Sequence, residues 1–463
     1  MNKASIHSAL NNNVKSTAPS KRIAIIGSGI SGQTCGYLLS QKHHVTLFES
    51  NDYLGGHTAT VDIDIDGQKL AVDTGFIVFN ERTYPNFIKM MSQIGVESKV
   101  TEMSFSVHNE ASGLEYNGHN LDTLFAQRRN LLNPKFYRFI GEILRFNKLA
   151  KQFDTTPSKK ELCNDASTIG YFLDEHGFST YFSNNYILAM VAAIWSSSIK
   201  SCRDFPLRFF LQFFNNHGLL DITLRPQWYV IEGGSRSYIP GLTRNIQDIR
   251  IHSPVQSVTR HGEQVEIISQ HQSEMYDEVI FACHSDQALA LLTDSSAKED
   301  AVLGAIKYRN NEVVLHTDSQ LLPKRKKAYA SWNYWIDSNA NNVASVTYNM
   351  NILQDLKTDT TLCITLNQTE KIDPKKILRE FNYAHPVFTL DTLAAQQKRA
   401  EICGHNHTHF CGAYWYNGFH EDGVKSALDV CQRFGLNLDN VDSIKDSSNI
   451  TEAEPKIPEQ VSL

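Results

Sequence analysis

A glycine-rich loop between a short apolar strand and a helix constrains the fold of this chain most. Residues 21–26 (KRIAII) are rich in β-branched side chains and predict a buried parallel strand. GSGISG follows at 27–32, and residues 33–39 carry a helical apolar pattern. Glycines at these positions permit the tight turn, the approach of a pyrophosphate and the close packing of helix on strand. The pattern therefore predicts a Rossmann-type dinucleotide-binding unit, with phosphate at the helix N-terminus.

Two further features indicate which dinucleotide is bound. Glu49 ends a second predicted strand (44–48) and lies 22 residues after Gly27, close to the spacing of about 20 for an acid that binds ribose hydroxyls. A second glycine pair, Gly55-Gly56, follows before His57 and Thr58. A simple NAD enzyme does not require this pair. A longer cofactor that runs back past the loop does require close backbone approach. The combination favours FAD over NAD.

Length and composition exclude several classes of protein. A chain of 463 residues is too long for one core and predicts two domains. The net charge of −6 gives no reason to expect nucleic acid as a partner. No pair of the eight cysteines has CxxC spacing, so we predict no metal site and reduced thiols in a cytoplasmic protein. No run of about 18 apolar residues predicts a membrane span, while peripheral contact with the inner face of the membrane stays open.

Nine segments in one order carry a resemblance to a known family. The chain resembles the flavin amine-oxidase and phytoene-desaturase superfamily. More narrowly, it is similar to bacterial flavoproteins known only as NAD/FAD-binding or amine-oxidase-like, which are often found beside, or fused to, cyclopropane-fatty-acid-synthase-like methyltransferases. The segments are GSGISG (27–32), FES (48–50), LGGH (54–57), DTGFIVFN (73–80), YVIEGGSRSYIPGL (229–242), ACHSDQALALL (282–292), SWNYW (331–335), SVTYNMNILQ (345–354) and HFCGAYWYNGFHEDGVKSAL (409–428).

The resemblance implies FAD as the cofactor and a role for each motif. It implies that the first loop holds the pyrophosphate, that Glu49 binds the adenosine ribose, and that the second loop lines the path of the ribityl phosphate. Residues 74–76 would then lie beside the isoalloxazine, Val255 beside the adenine, and residues 412 and 419–423 at the flavin end. The implied cofactor-binding residues are Gly27, Ser28, Gly29, Ile30, Ser31, Gly32, Glu49, Ser50, Gly55, Gly56, His57, Thr58, Thr74, Gly75, Phe76, Val255, Gly412, Phe419, His420, Glu421, Asp422 and Gly423.

The chain departs from the family pattern at two positions. Tyr53 stands where an Arg often precedes the glycine pair, and Ala413 stands where an acid often follows the glycine of the last motif. Cys411 does not occupy the position of the familiar covalent flavin cysteine, so we expect non-covalent FAD and a buried thiol. Residues 423–431 predict a helix, with Asp422 as its cap and its N-terminus facing the flavin.

The predicted fold is α/β, with a discontinuous FAD-binding Rossmann-type (GR2-like) domain and an inserted α+β substrate domain. We assign 21–105, 232–300 and 398–440 to the FAD domain, and 106–231 and 301–397 to the substrate domain. Residues 1–20 and 441–463 are expected to be a disordered tail and a mobile tail. Segments 251–258, 265–268 and 278–282 predict strands of the FAD-domain sheet, and 72–79 predicts one strand with a bulge.

Helical patterns over 121–153 and 168–196 carry many aromatic residues, which we interpret mainly as core. The four phenylalanines at 209–214 cannot all face one side of a helix. Core packing is the preferred interpretation, with an apolar tunnel or lipid contact as the alternative. The basic run Lys324–Lys327 predicts a solvated loop, or contact with anionic headgroups if the substrate is lipid.

Flavin chemistry requires few protein groups beyond orientation and dryness, so no catalytic residue is assigned. We expect His57, His284, His420 and Glu421 to be structural or cofactor contacts, and residues 414–416 to wall the substrate pocket. The leading hypothesis is an FAD-dependent oxidoreductase acting on an apolar substrate such as an acyl chain or phospholipid, with an amine as the alternative. An isomerase and an accessory flavoprotein that assists a lipid methyltransferase partner are the competing hypotheses.

Overall fold

The computed structural model describes residues 19–155, 167–195, 198–221, 225–336 and 345–441. Nearly all of both predicted tails therefore lies outside the described residues. The strands are β1 (Arg22–Ile26), β2 (His44–Phe48), β3 (Thr60–Ile65), β4 (Gln68–Asp73), β5 (Val78–Asn80), β6 (Ser98–Thr101), β7 (Phe105–Asn109), β8 (Leu114–Asn117), β9 (Trp228–Ile231), β10 (Asp248–Arg250), β11 (Val255–His261), β12 (Gln264–Ser269), β13 (Gln272–Tyr276), β14 (Glu278–Phe281), β15 (Lys307–His316), β16 (Trp332–Ile336), β17 (Ser345–Asn349), β18 (Cys363–Leu366), β19 (Ile377–Val387) and β20 (Thr408–Phe410).

Helices connect these strands and form one separate helical layer. They are α1 (Ile30–Leu39), α2 (Pro85–Ile94), α3 (Leu121–Leu124), α4 (Pro134–Thr155), α5 (Ile169–Glu175), α6 (Thr180–Phe182), α7 (Leu188–Trp195), α8 (Ile199–Cys202), α9 (Leu207–Asn216), α10 (Ile239–Thr243), α11 (Ser285–Leu291), α12 (Ala297–Gly304), α13 (Met350–Leu353), α14 (Leu390–Gln397) and α15 (His420–Gln432). Within the described ranges, no helix has both the length and the apolarity needed to cross a bilayer.

A five-stranded parallel sheet carries the predicted dinucleotide-binding unit. Its order is β10-β2-β1-β14-β20, so β1 lies at the centre. The predicted strand, loop and helix over 21–39 are confirmed, and Ile23, Ala24 and Ile25 are fully buried as a parallel strand requires. All of its strands come from the segments assigned to the FAD domain, although the domain boundaries themselves stay a prediction.

Two strand predictions were wrong. The segments at 251–258 and 265–268 do not join this sheet, because β11, β12 and β13 form a separate antiparallel sheet. Of the three predicted strands, the one at 278–282 (β14) pairs with β1. The segment 72–79 is not one strand: β4 ends at Asp73, and β5 begins at Val78 and pairs with β9.

A seven-stranded sheet and the helical layer build the inserted part. The sheet order is β19-β15-β18-β17-β16-β7-β8, antiparallel except for the β16–β7 pair. Side chains of β7, β16 and β17 pack into the core of helices α4 to α9, whereas β15 and β18 share a core with β3 and β4. The sheet therefore has apolar partners on both faces.

The predicted long helices are broken for local reasons. A 3₁₀ turn (Arg128–Leu132) separates α3 from α4, which begins at Pro134, because a proline disfavours helical geometry in the residue before it. Gly177, with φ 59°, comes directly after the C-cap residue His176 and ends α5. The last residue of the predicted helix 168–196 lies outside the described residues. On α9, all four phenylalanines of 209–214 are buried, as the core interpretation predicted.

Candidate functional site

The loop between β1 and α1 has the shape of a phosphate cradle. Gly27 adopts φ 104°, a conformation that favours glycine. A Cβ on Gly32 would lie 1.9 Å from the Gly27 carbonyl oxygen, so helix and loop pack too closely for a side chain. A Cβ on Gly29 would have no atom within 4 Å, since this position faces an open cavity. The loop thus leaves space where a cofactor would approach the backbone.

The first turn of α1 presents backbone N–H groups to this cavity. The Gln33 amide donates to the Gly29 carbonyl at 2.9 Å, which makes Gln33 the first residue with a helical hydrogen bond. Ile30 and Ser31, one turn earlier, line the cavity. Free amides and the positive end of the helix dipole at one place favour a phosphate group.

Glu49 joins the loop to the end of β2. The Ser28 N–H and hydroxyl donate to Oε2 of Glu49 at 3.0 and 2.5 Å, while the Asn51 N–H and side-chain amide donate to Oε1 at 2.9 and 3.0 Å. Glu49 is buried, and it lines the cavity together with Ser50. Its carboxylate therefore orders the loop, and its predicted contact with ribose stays a prediction.

The second glycine pair lies against the first loop. The Gly55 N–H donates to the Ser28 hydroxyl at 3.0 Å, and a Cβ on Gly56 would lie 3.4 Å from the Gly29 Cα. Both glycines have positive φ, 129° and 57°, and both line the cavity with His57. The two loops predicted from the sequence thus form one continuous wall.

A cluster of half-buried imidazoles lies on this wall. The His57 ring centroid lies 5.4 Å from that of His385, 6.3 Å from that of His284 and 5.0 Å from the Tyr383 ring. Burial, with the neighbouring imidazoles, lowers the pKa of His57 to about 3 and that of His385 to about 4. Burial also lowers the pKa of His284. The cluster is therefore uncharged at neutral pH.

Hydrogen bonds fix the tautomer of His385. The Glu312 N–H donates to Oδ1 of Asn367, and Nδ2 of Asn367 donates to Oδ1 of Asn311 at 3.0 Å. Asn311 must then donate through Nδ2, which lies 3.2 Å from Nδ1 of His385. Nδ1 is an acceptor, so Nε2 of His385 carries the hydrogen. His385 therefore lines the cavity as a neutral imidazole with its hydrogen on Nε2.

The C-terminal turn forms a further part of the cavity wall, next to the first turn of α1. Gly412 (φ 153°) lies beside the Tyr414 ring, which a Cβ would approach to 2.3 Å. Helix α15 begins at His420, three residues earlier than predicted, and the His420 ring stacks on Phe76 at 3.6 Å. The Ser31 hydroxyl donates to the Gly423 carbonyl at 2.9 Å. The N-terminal turns of α1 and α15 therefore meet at the cavity.

Two acids of this turn contact protein groups instead of the cavity. Glu421 accepts hydrogen bonds from the Phe87 N–H at 2.8 Å and from Asn86 at the start of α2. The prediction that Asp422 precedes and caps this helix was wrong. Asp422 lies in the first turn and accepts the Phe419 N–H at 2.9 Å. Burial raises the pKa of Asp422 to about 7 and also raises that of Glu421.

Most of the predicted cofactor residues line one cavity of about 770 Å³. Those that line it are Gly27, Ser28, Gly29, Ile30, Ser31, Glu49, Ser50, Gly55, Gly56, His57, Gly75, Phe76, Gly412, Phe419 and His420. The remainder do not line it: Gly32, Thr58, Thr74, Val255, Glu421, Asp422 and Gly423. Thr58 contacts Tyr238, whose hydroxyl lies 2.6 Å from Nε2 of His420, and Thr74 contacts the Tyr383 hydroxyl at 2.9 Å. Their roles toward a cofactor stay predictions.

The cavity continues from the glycine loops into the inserted part, where aromatic and aliphatic side chains dominate. Apart from Phe213, which the tunnel alternative for 209–214 included, these residues were not identified from the sequence, because aromatic residues are frequent along the whole segment. They are Met103, Phe105, Tyr116, Tyr186, Met190, Ile194, Trp195, Phe213, Leu219, Trp228, Trp332, Tyr348 and Phe388. Of the predicted wall residues 414–416, Tyr414 borders the cavity, whereas Arg399 packs over Trp415.

The described residues fit an FAD molecule held without a covalent bond. The open space at Gly29, the free amides of α1 and the two glycine loops form a cradle for its pyrophosphate. The Cys411 thiol is buried 3.9 Å from the Cys35 sulfur and does not line the cavity. This arrangement therefore favours non-covalent binding over a covalent bond between Cys411 and the flavin.

Comparisons with known proteins agree with this architecture. The family model of flavin containing amine oxidoreductases matches residues 30–434. No curated protein matches the chain at a significant level. Similar solved structures include a CLA-producing fatty acid isomerase from P. acnes (16% identity, TM-score 0.64, 89% of this chain and 98% of that chain). Cyclohexylamine oxidase from Brevibacterium oxydans IH-35A is similar to the same degree (16%, 0.64, 90% and 100%).

Putrescine oxidase also shares the fold (15% identity, TM-score 0.60, 90% of this chain and 100% of that chain). At these identities the likenesses show the fold alone, whereas the family model spans most of the chain. The family match implies FAD as the cofactor and an oxidoreductase activity. The chain belongs to the family of flavin-containing amine oxidoreductases.

Proposed function

We propose that this FAD-dependent oxidoreductase acts on a long apolar substrate, a fatty acyl chain with an anionic head group. The lining of the inner cavity carries this proposal: thirteen aromatic or aliphatic side chains extend from the flavin end into the inserted part. Each methylene of an acyl chain gains roughly 0.8 kcal/mol on burial, so such walls bind a chain with few polar contacts. A small polar substrate leaves most of this surface without a partner.

The charges of the lining favour an acid over an amine. Glu49 is the one carboxylate among the described lining residues, and its oxygens already accept bonds from Ser28 and Asn51. The lining contains one Arg or Lys, which is Arg225. Its guanidinium makes long bonds of 3.3 to 3.4 Å to the carbonyls of Asp221 and Gly118, which leaves donors for a carboxylate or phosphate.

FAD, when bound, accepts the two electrons released on oxidation of a substrate C–H bond. The protein orients the chain and excludes water through the aromatic walls. The uncharged histidine cluster of His57, His284 and His385 adds no charge to this wall of the cavity, and His385 carries its hydrogen on Nε2. One structural neighbour is described as a fatty acid isomerase, which supports an acyl substrate and makes double-bond isomerisation the second candidate reaction.

Anaerobic flavin absorbance tests the proposal. We expect free fatty acids or phospholipids dispersed in detergent to bleach the oxidised flavin band, and cyclohexylamine or putrescine to leave it unchanged. Product analysis by mass spectrometry separates oxidation, which removes two hydrogens, from isomerisation, which keeps the mass. Bleaching by small amines and not by any lipid would contradict an acyl substrate.

A further inference from the structure

We infer that one surface of the inserted part docks the protein on an anionic lipid membrane, beside the opening of the substrate cavity. This leucine-basic surface comprises residues 121–138 and the basic run 324–327. The inference rests on the proposed acyl substrate, because a membrane is where such a chain is stored. The leucine-basic surface is then a second functional site, separate from the flavin site.

The surface exposes apolar side chains that the fold does not cover. Leu132 is 90% exposed, Leu121 76%, Tyr137 50% and Leu131 46%. Single exposed leucines are ordinary, whereas a contiguous group indicates an interaction site. These residues are contiguous. The Tyr137 hydroxyl donates to the Leu131 carbonyl at 3.0 Å, and Phe125, one turn after Leu121, packs its ring 5.9 Å from that of Tyr137.

Positive charge surrounds these leucines. Lys327 contacts Asp122 of α3 at 2.7 Å, which brings the basic run 324–327 next to Leu121. The leucine-basic surface contains eight cations and one acid, Asp122, and the neighbouring Glu115 pairs with Arg325, although the whole chain has a net charge of −6. The cations are Arg128, Arg129, Lys135, Arg138, Lys324, Arg325, Lys326 and Lys327. Exposed leucines beside clustered Lys and Arg are complementary to the apolar interior and anionic headgroups of a membrane.

The surface lies next to the cavity opening. Gly118 lines the cavity and precedes Leu121 by three residues, with Asn120 capping α3 between them. Arg225 also lines the cavity, and its guanidinium bonds the Gly118 carbonyl at 3.4 Å. An acyl chain that leaves the bilayer at this surface therefore reaches the cavity over a short path, with its anionic head beside Arg225. This position favours a membrane over an acidic protein partner as the occupant.

Vesicle flotation of the full-length, FAD-loaded protein tests the inference without turnover. Wild type is expected to float with phosphatidylglycerol–phosphatidylcholine vesicles and to remain at the bottom with pure phosphatidylcholine. The double variant Leu131→Ser/Leu132→Ser removes two apolar contacts and is expected to weaken binding at least about tenfold. The double variant Arg129→Gln/Lys326→Gln is expected to weaken binding several-fold and to reduce its salt dependence.

Matched controls lie outside the surface. Leu390→Ser changes another partly exposed leucine, and Lys42→Gln/Lys69→Gln removes two exposed cations elsewhere, so both are expected to float like wild type. Failure of wild type to float with anionic vesicles, or flotation of the leucine variant at the wild-type level, would overturn the inference. Flavin reduction by detergent-dispersed lipid is measured separately, so a failed docking surface is distinguishable from a wrong substrate class.

Discussion

Replacement of Gly29 by alanine is expected to weaken FAD binding without destabilising the folded apoprotein. Gly29 has φ −62° and ψ 176°, which alanine adopts without strain, and its Cβ would meet no atom within 4 Å. The apoprotein is therefore expected to gain about 0.4–1 kcal/mol in stability, because alanine restricts the unfolded chain. The same methyl group fills the space where the pyrophosphate approaches. Overpacking of about 1–3 kcal/mol there weakens FAD binding roughly 5- to 150-fold.

Two measurements and a matched variant decide this prediction. Denaturant unfolding of the apoprotein gives the stability, and quenching of flavin fluorescence gives the FAD affinity. Gly32→Ala is the contrasting variant. Its Cβ would lie 1.9 Å from the Gly27 carbonyl oxygen, so the apoprotein itself loses about 1–3 kcal/mol. Wild-type FAD affinity in Gly29→Ala would refute the assignment of the pyrophosphate to this loop.

Four further predictions follow from individual contacts. Glu49→Ala removes the acceptor for Ser28 and Asn51 and is expected to weaken FAD binding by about 1.5–3 kcal/mol; unchanged affinity in apoprotein titration rejects the role. Burial raises the pKa of Asp422 to about 7, above its unfolded value of about 3.9, so the folded state binds the proton more tightly. The free energy of unfolding is then expected to decrease as pH rises from about 4 to about 7, and Asp422→Asn to flatten that slope; an identical slope in the variant contradicts this. Arg225→Gln is expected to raise KM for acyl carboxylates about tenfold or more, with little change for the matching alcohols, in steady-state assays; equal effects on both reject the anchor. Acid precipitation is expected to release all flavin from both wild type and Cys411→Ser, whereas flavin retained in the wild-type pellet indicates a covalent bond.

The sequence alone predicted the structure correctly where the pattern lies within one short segment of the chain. The strand, glycine loop and helix over 21–39 follow from apolar periodicity and glycine spacing, and the structure has them at those positions. Which strands pair with each other cannot be predicted from one short segment, because the partners lie far apart in the chain. β11 and β12 were correctly predicted as extended, yet they pair with each other, and β12 with β13, in a separate sheet instead of joining the parallel one. The alternation of polar and apolar residues at the start of β12 (QVEI) is typical of an antiparallel sheet with one open face, and this alternation was the available signal.

The residues that form the cavity walls could not be predicted from the sequence for the same reason. His385 reaches His57 because β19 pairs with β15 along ten positions and crosses the cavity, a contact between residues more than 300 apart in the chain. Its tautomer depends on Asn311 and Asn367, which no motif connects to it. Arg225 lies in a stretch without any periodic pattern. Only the assembled sheets bring these groups to the glycine loops.

The meeting of α1 and α15 sets the order of events during synthesis. Ser31 of α1 bonds the Gly423 carbonyl, and Glu421 of α15 holds the start of α2. The last strand of the central sheet, β20, is also made nearly 400 residues after the first. A ribosome therefore completes the walls of the cofactor cavity only after α15 has been made, about 390 residues after the start of α1. We expect FAD uptake to follow the synthesis of α15.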